Sequence, residues 1–228
     1  LGLPIISFFG WDKNKLKAQF THEPTGFTRS YAVYLRAPNQ TGDTKFGPYA
    51  LLNVGSSSPS ANGAVLKRAG PSGWEWAKAF DFNTETDGTY QVYVTAVGEG
   101  GVESTPSPIR IATLYPKAIF DELLEGAPAR LVQNLNVTKF PLTIRIANFN
   151  RDLYYRYEIY DGETRVWDSA YVNSSSNPKI EVAFQNTNGH PFTAGRTYRL
   201  TVSSFDNNNG LDSTIKQKTN ELLFTYSQ

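Results

Sequence analysis

The chain contains no cysteine and no methionine, and only two histidines in 228 residues. Without cysteine there are neither disulfides nor thiolate metal sites, so the fold needs no oxidising compartment. The absence of methionine has no evident physical reason. Charge of either sign is not in excess: 22 basic and 21 acidic residues leave a formal net charge of +1. No field gathers phosphates or anionic lipid, so neither nucleic acid nor membrane insertion is expected. No apolar run approaches the ~18 residues of a membrane-spanning helix. A start methionine is not normally trimmed before a residue as bulky as Leu1, so Leu1 is expected to follow a signal cleavage, a maturation cleavage or a truncation.

Catalytic vocabulary is equally thin. His22 lacks a second histidine four positions on and stands beside Pro24, while His190 lies in Gly189-His190-Pro191; both are expected in surface turns. No Gly-x-Ser-x-Gly presents a nucleophile. Gly98-Glu-Gly-Gly lacks the Lys-Ser/Thr of a phosphate loop and reads as a hairpin turn. No enzyme activity and no cofactor are expected. Integrin binding of the Arg-Gly-Asp type has no support either, since that triplet is missing.

What the chain does have is a repeated pattern. Thr86-Asp-Gly-Thr-Tyr90 runs into Tyr90, Val92, Val94 and Ala96, alternating with Gln91, Tyr93 and Thr95. Thr193-Ala-Gly-Arg-Thr-Tyr198 runs into Tyr198, Leu200, Val202 and Ser204, alternating with Arg199, Thr201 and Ser203. A period of two means strands with one buried and one wet face. The same grammar recurs before each copy, in Leu16/Ala18/Phe20 and Tyr31/Val33/Leu35, then in Leu142/Ile144/Ile146 and Tyr155/Tyr157/Ile159. A Gly/Ser/Pro-rich stretch from Gly55 to Gly73 precedes Trp74, Trp76, Phe80 and Phe82, matched later by Ile180, Val182 and Phe184. Ile109 and Ile111 close the first copy, and Leu222 and Phe224 the second. Ile119 and Leu123, in a segment between Lys117 and Gly126, have helix-like spacing but little length; the segment could equally be a linker.

These features predict an all-β chain: two antiparallel Greek-key β-sandwiches in tandem, residues 1–115 and 116–228. Pro4, Tyr31-Ala-Val, Tyr90-Gln-Val-Tyr-Val-Thr-Ala and Gly101-Val-Glu-Ser104-Thr-Pro-Ser107 together resemble the fibronectin type III module. Phe20 stands where that family usually has tryptophan, which keeps an immunoglobulin-like sandwich as the alternative; the second copy matches more loosely, through Tyr198 to Ser213. The resemblance implies a spacer or recognition module and no chemistry, because function on such scaffolds is grafted onto the surface.

Candidate sites follow from phase and spacing. Tyr34, Tyr93, Tyr154 and Tyr160 lie opposite the inward set and are expected to form an exposed contact surface. Trp74 and Trp76 point one way and could stack sugars, but their counterparts Ile180 and Val182 mark the position as core. Asp206, Asn208 and Asp212 alternate as hard-cation ligands would, although an Asn/Gly hairpin tip explains the same residues. Asn39, Asn136 and Asn173 begin glycan-acceptor triplets. Lys13, Lys15 and Lys17 share a phase expected to be solvated. Leu1 to Phe9 is the most apolar segment, read as the first strand of its own domain or as a strand that pairs with another subunit. The expected role is that of a non-catalytic structural, recognition or adhesion protein, extracellular or surface-exposed on a cell envelope, filament or virion. Its partners would be protein subunits or a surface ligand, possibly glycan; the alternative is a carbohydrate-binding accessory part of a secreted hydrolase.

Overall fold

The structure is a computed structural model and describes residues 1–82, 84–116, 120–124, 127–130, 135–146, 153–173, 179–186, 188–205, 215–217 and 220–227. At 120–124, 127–130, 145–146, 171, 173, 179, 205, 215–217 and 220 it describes the backbone alone. Two compact units result, Leu1–Tyr115 with Leu211–Ile215, and Pro116–Gly210 with Lys216–Gln228.

In the first unit β1 (Ile5–Asp12), β2 (Lys15–Thr21), β3 (Thr28–Arg36), β4 (Thr44–Ala50), β5 (Ala64–Arg68), β6 (Gly73–Ala79), β7 (Gly88–Gly98) and β8 (Arg110–Tyr115) are all antiparallel. One sheet has the order β1-β2-β6-β5 and the other β8-β7-β3-β4, with the short strand Ile215–Gln217 beyond β8. The chain thus changes sheet after β2, β4 and β6. Alternation does the folding: Leu16, Ala18 and Phe20 of β2 meet Tyr31, Val33 and Val94 from the other sheet in one buried cluster. Trp74 and Trp76 belong to that cluster, at 2% and 0% exposure, so they are core. Tyr31 lies between Phe20 and Trp74, with ring centroids 5.2 and 4.6 Å away, so large aromatic area is buried at the centre. In β8 it is Ala112 and Leu114 that face inward, while Ile109 and Ile111 stay exposed.

Two serines explain the Gly101-to-Ser107 motif. Ser104 donates its N–H to the Ala96 carbonyl and accepts the Ala96 N–H on its hydroxyl, at 2.8 and 3.0 Å. Ser107 does the same with Val94, at 2.9 and 3.0 Å. Each hydroxyl takes the place of a ladder carbonyl, which lets the Pro-containing segment run along β7 with its backbone groups satisfied.

The second unit comprises β9 (Phe120–Leu124), β10 (Ala127–Arg130), β11 (Leu135–Val137), β12 (Leu142–Ile146), β13 (Tyr154–Asp161), β14 (Thr164–Asn173), β15 (Lys179–Val182), β16 (Thr197–Phe205) and, after the short β17 (Ile215–Gln217) already placed beside β8, β18 (Asn220–Tyr226). Its sheets are ordered β10-β9-β12-β15 and β11-β18-β16-β13-β14. Pairing is antiparallel except for β11, which runs parallel to β18. Tyr155, Tyr157, Ile159, Leu200, Val202, Leu222 and Phe224 are buried as their phase requires. In the segment that holds Ile119 and Leu123 the structure departs from both the short helix and the linker that the spacing allowed, since Phe120–Leu124 is a strand paired with both β10 and β12; Ile119 lies outside the described residues. A few residues of helical spacing do not hold a helix against two available ladder partners.

The repeated tyrosines are both anchored corners. Tyr90 is 2% exposed and its hydroxyl donates to the Thr86 carbonyl at 2.5 Å; Tyr198 is 4% exposed and its hydroxyl accepts the Thr193 N–H at 2.8 Å. Replacing either by phenylalanine leaves a backbone group without its partner and is expected to destabilise by about 1 kcal/mol or more. Melting curves of the two variants check this, and unchanged midpoints for both would contradict it.

Candidate functional site

Strand pairing places Tyr34 of β3 directly beside Tyr93 of β7 on the outer side of the five-stranded sheet. Their rings stack 4.7 Å apart with 9° between planes. Each hydroxyl ends on a carboxylate: Tyr34 donates to Glu103 at 2.6 Å and Tyr93 to Asp43 at 3.0 Å. Glu103 also accepts from Lys45 Nζ at 2.7 Å and Thr95 Oγ1 at 2.6 Å, and Asp43 from Arg36 Nε at 2.8 Å. Lys45 Nζ further lies 5.6 Å from the Tyr34 ring centroid. Two tyrosines are thus bracketed by two neutralised ion pairs.

The protonation states fit that description. Burial pushes the Tyr34 hydroxyl up, helped by Glu103, and burial with the Asp43 carboxylate pushes Tyr93 up to about 12. The Arg36 bond holds Asp43 below its usual range. Burial acts to raise Glu103, but bonds from Lys45, Thr95 and Tyr34 outweigh it and hold the carboxyl low, while Glu103 raises Lys45. Every group keeps its ordinary charge at neutral pH, and no proton is poised to move. The arrangement is a half-buried stacked aromatic pair on the outer side of the sheet, with its polar atoms fixed in advance.

Tyr154 and Tyr160 are half-buried on β13 of the second unit. The Arg199 guanidinium sits 4.8 Å from the Tyr160 ring centroid, a cation–π contact. Arg165 bonds Glu158 at 2.9 Å and lies 3.4 Å from Asp168, continuing a charged lattice on this unit. Tyr34 and Tyr93 therefore form one constellation and Tyr160 belongs to another, and phase alone did not reveal their carboxylate and guanidinium partners.

Other candidates fall out differently. His22 is not in a surface turn: it is 4% exposed, its Nδ1 lies 2.8 Å from the Tyr31 hydroxyl, and its Nε2 faces Gly2, where an added Cβ would approach within 2.9 Å. Burial lowers its pKa below 6.5. His190 is exposed, in the turn where it was expected. Lys13 and Lys15 are solvated, but Lys17 is 7% exposed, its Nζ 5.7 Å from the Phe8 ring centroid and 3.6 Å from Asp12. A long apolar stem explains that departure, because it packs on an aromatic neighbour and leaves only the ammonium to be satisfied. Asn39 and Asn136 are exposed, with Asn136 Oδ1 accepting from the Ser227 hydroxyl at 2.6 Å, while the Asn173 side chain lies outside the described residues. Asp206, Asn208 and Asp212 lie outside them too, and among the described residues no cluster of three or more His, Asp or Glu could hold a metal ion. A recess of about 240 Å³ lined by Leu35, Phe46, Phe80 and the Lys78–Glu85 ion pair is smaller than ordinary ligand pockets.

Because His22 is held neutral, unfolded chains bind the proton more readily than folded ones between pH 6.5 and the lower folded value. The stability His22 confers is therefore present above pH 6.5 and lost as pH falls through that window. Melting measured from about pH 8 to about pH 5 is expected to fall in the parent and to flatten in His22→Gln. Equal slopes in both would assign the fall to other groups.

The order β1-β2-β6-β5 facing β8-β7-β3-β4 is the A-B-E-D sheet facing G-F-C with one further strand. The first unit has a fibronectin type III-like or immunoglobulin-like sandwich fold. No protein-family model matches the chain, and no curated protein matches it. Among solved structures, the chain is similar to the chicken CNTN1 FN1-FN3 domains, at 10% identity and a TM-score of 0.29, over 99% of this chain and 65% of that one. The chain therefore spans under two thirds of that neighbour's length.

Proposed function

We propose that this chain is a non-catalytic structural or recognition protein of an exposed surface, whether a cell envelope, an extracellular filament or a virion. Its partners are protein subunits of an assembly, contacted through the outer face around Tyr34 and Tyr93. The observation that carries this reading is the tyrosine stack itself, whose hydroxyls are fixed on Glu103 and Asp43. Rigid aromatic area with satisfied polar atoms loses little freedom on contact, which is what a protein-binding face requires. The sugar-platform alternative loses its main support with Trp74 and Trp76 buried.

Electron microscopy of the native assembly tests the proposal. The expected result is a repeating unit whose Tyr34/Tyr93 face lies against a neighbouring protein. A native state in which that face remains open to solvent, or turnover of a polysaccharide by the purified chain, would overturn it.

A further inference from the structure

Of the two histidines only His22 is buried, and nothing in the recognition reading uses it. It follows β2 directly, and its N–H donates to the Ser72 carbonyl at 2.8 Å, which fixes the backbone there. The ring stands edge-on to Tyr31, with centroids 5.4 Å apart, planes at 86° and Nδ1 2.8 Å from the Tyr31 hydroxyl. Nε2 is enclosed and has no hydrogen-bond partner of normal geometry. What encloses it is the first segment of the chain. Gly2 lies so close over Nε2 that only a residue without a Cβ fits.

Residues 1–4 reach β1 without joining a sheet. The ladder begins with Ile5 opposite Thr21, and among the described residues no turn or loop backbone hydrogen bond involves residues 1–4. Their holds are apolar: both Leu1 δ-methyls would lie 3.3 Å from a Cβ on Gly98, and Pro4 is buried. Leu1 and Leu3 stay 41% and 47% exposed, so little apolar area is given up when the segment lifts. A recess of about 280 Å³ lined by Gly2, Leu3, Ile5, Thr21, His22 and Glu23 already opens beside it. A segment with few buried contacts and no ladder bonds opens at low free-energy cost.

A neutral imidazole tolerates this seat, and an imidazolium does not. The imidazolium carries a proton on each nitrogen, so Nδ1 must donate to Tyr31 while Nε2 needs an acceptor or water that the closed segment withholds. Burial therefore opposes the charge; the Gly2 backbone beside Nε2 offsets part of this, and the Leu1 amino group adds to the opposition. No carboxylate among the described residues bonds the ring. Glu23 is exposed, and Arg68, beyond Tyr31, is a cation fixed on the Leu52, Gly70 and Pro71 carbonyls. Arg29 and Glu99, beside the Gly98 seat of Leu1, pair with each other at 3.8 Å.

We infer that residues 1–4 form an acid-released strap: it stays closed over neutral His22 and lifts when the ring is protonated, opening the recess onto His22 and Tyr31. The open state binds the proton more readily than the closed one, so the open fraction rises as pH falls. The rise begins near pH 6.5 and levels off below the lower value of the enclosed ring. Both sheets stay intact while the strap is open. The inference goes beyond the recognition reading and uses none of the Tyr34/Tyr93 face.

Because the chain has no cysteine, single introduced thiols report the opening. In the full chain Pro4→Cys places a thiol on the strap's buried side, Ala112→Cys one in the core and Val102→Cys one outside, at 66% exposure. Each is labelled with a disulfide reagent that works in acid, and rates are divided by that of Val102→Cys at the same pH. The relative rate of Pro4→Cys is expected to rise about threefold or more from about pH 8 to about pH 5, with Ala112→Cys still protected. Adding His22→Gln is expected to flatten the response, and adding Gly2→Ala to make Pro4→Cys fast already at about pH 8, because the new Cβ props the strap away from Nε2. In the parent, the Leu1 methyl resonances are expected to shift with the same midpoint as the His22 ring protons. A Pro4→Cys rate indifferent to pH, a rise that survives His22→Gln, or Leu1 and His22 midpoints that differ would each overturn the inference. So would an equal rise in Ala112→Cys, which would mean that the whole unit unfolds.

Discussion

Gly47→Ala is expected to destabilise the first unit by about 3 kcal/mol or more. Gly47 has φ +96°, and a Cβ there would stand 2.8 Å from the Tyr49 N and 2.9 Å from the Tyr31 carbonyl oxygen. Both are backbone atoms, so no side-chain rotation relieves the contact. The register explains the crowding. Tyr31 pairs with Tyr49 and Val33 with Phe46, so two residues of β4 must fit where β3 offers one. Tyr49 and Phe46 are both core, and displacing the bulge moves them together. Chemical denaturation of the variant checks the expectation; a loss below about 1 kcal/mol would mean that the bulge is not held as described.

Arg68→Lys is expected to lower stability by about 2 kcal/mol and to loosen the whole stretch from Gly55 to Gly73. The Arg68 guanidinium donates to three carbonyls, Leu52 and Pro71 at 2.7 Å and Gly70 at 3.1 Å, and lies 5.5 Å from the Trp74 ring centroid. A planar fork of five N–H groups can serve three acceptors and a ring face at once, which an ammonium cannot. Hydrogen exchange of residues 52–73 is the direct readout, and protection equal to the parent would show that the loop holds itself.

The repeated Tyr corner, the inward sets of β2, β3, β7, β13, β16 and β18, and the core tryptophans were legible because each depends on local periodicity. β4 and β5 were not read at all. Gly47-Pro48 breaks the alternation of one, and the other lies inside a Gly/Ser/Pro-rich stretch whose strand character comes from pairing with β6. His22 was misread for the same kind of reason. Its neighbours Glu23 and Pro24 read as a turn, while its burial is supplied by Gly2 and Tyr31, distant in sequence or invisible to phase. In the candidate site, alternation located the tyrosines, but Glu103 and Asp43 arrive from a turn and a loop, and no spacing rule connects them to β3 and β7.

The two corner tyrosines look alike in sequence, yet they hold their corners in opposite senses, one giving its proton to a carbonyl four residues back and the other receiving one from an amide five residues back. The halves of this chain are therefore not interchangeable modules at that joint. A chimaera that fused the corner of one half to the strand of the other would bring the hydroxyl to a backbone group of the wrong kind, one residue out of step. Corner and strand are expected to travel as a single cassette in any shuffling of the repeat, and chimaeras cut between Thr86 and Tyr90 should fold less well than those cut before Thr86.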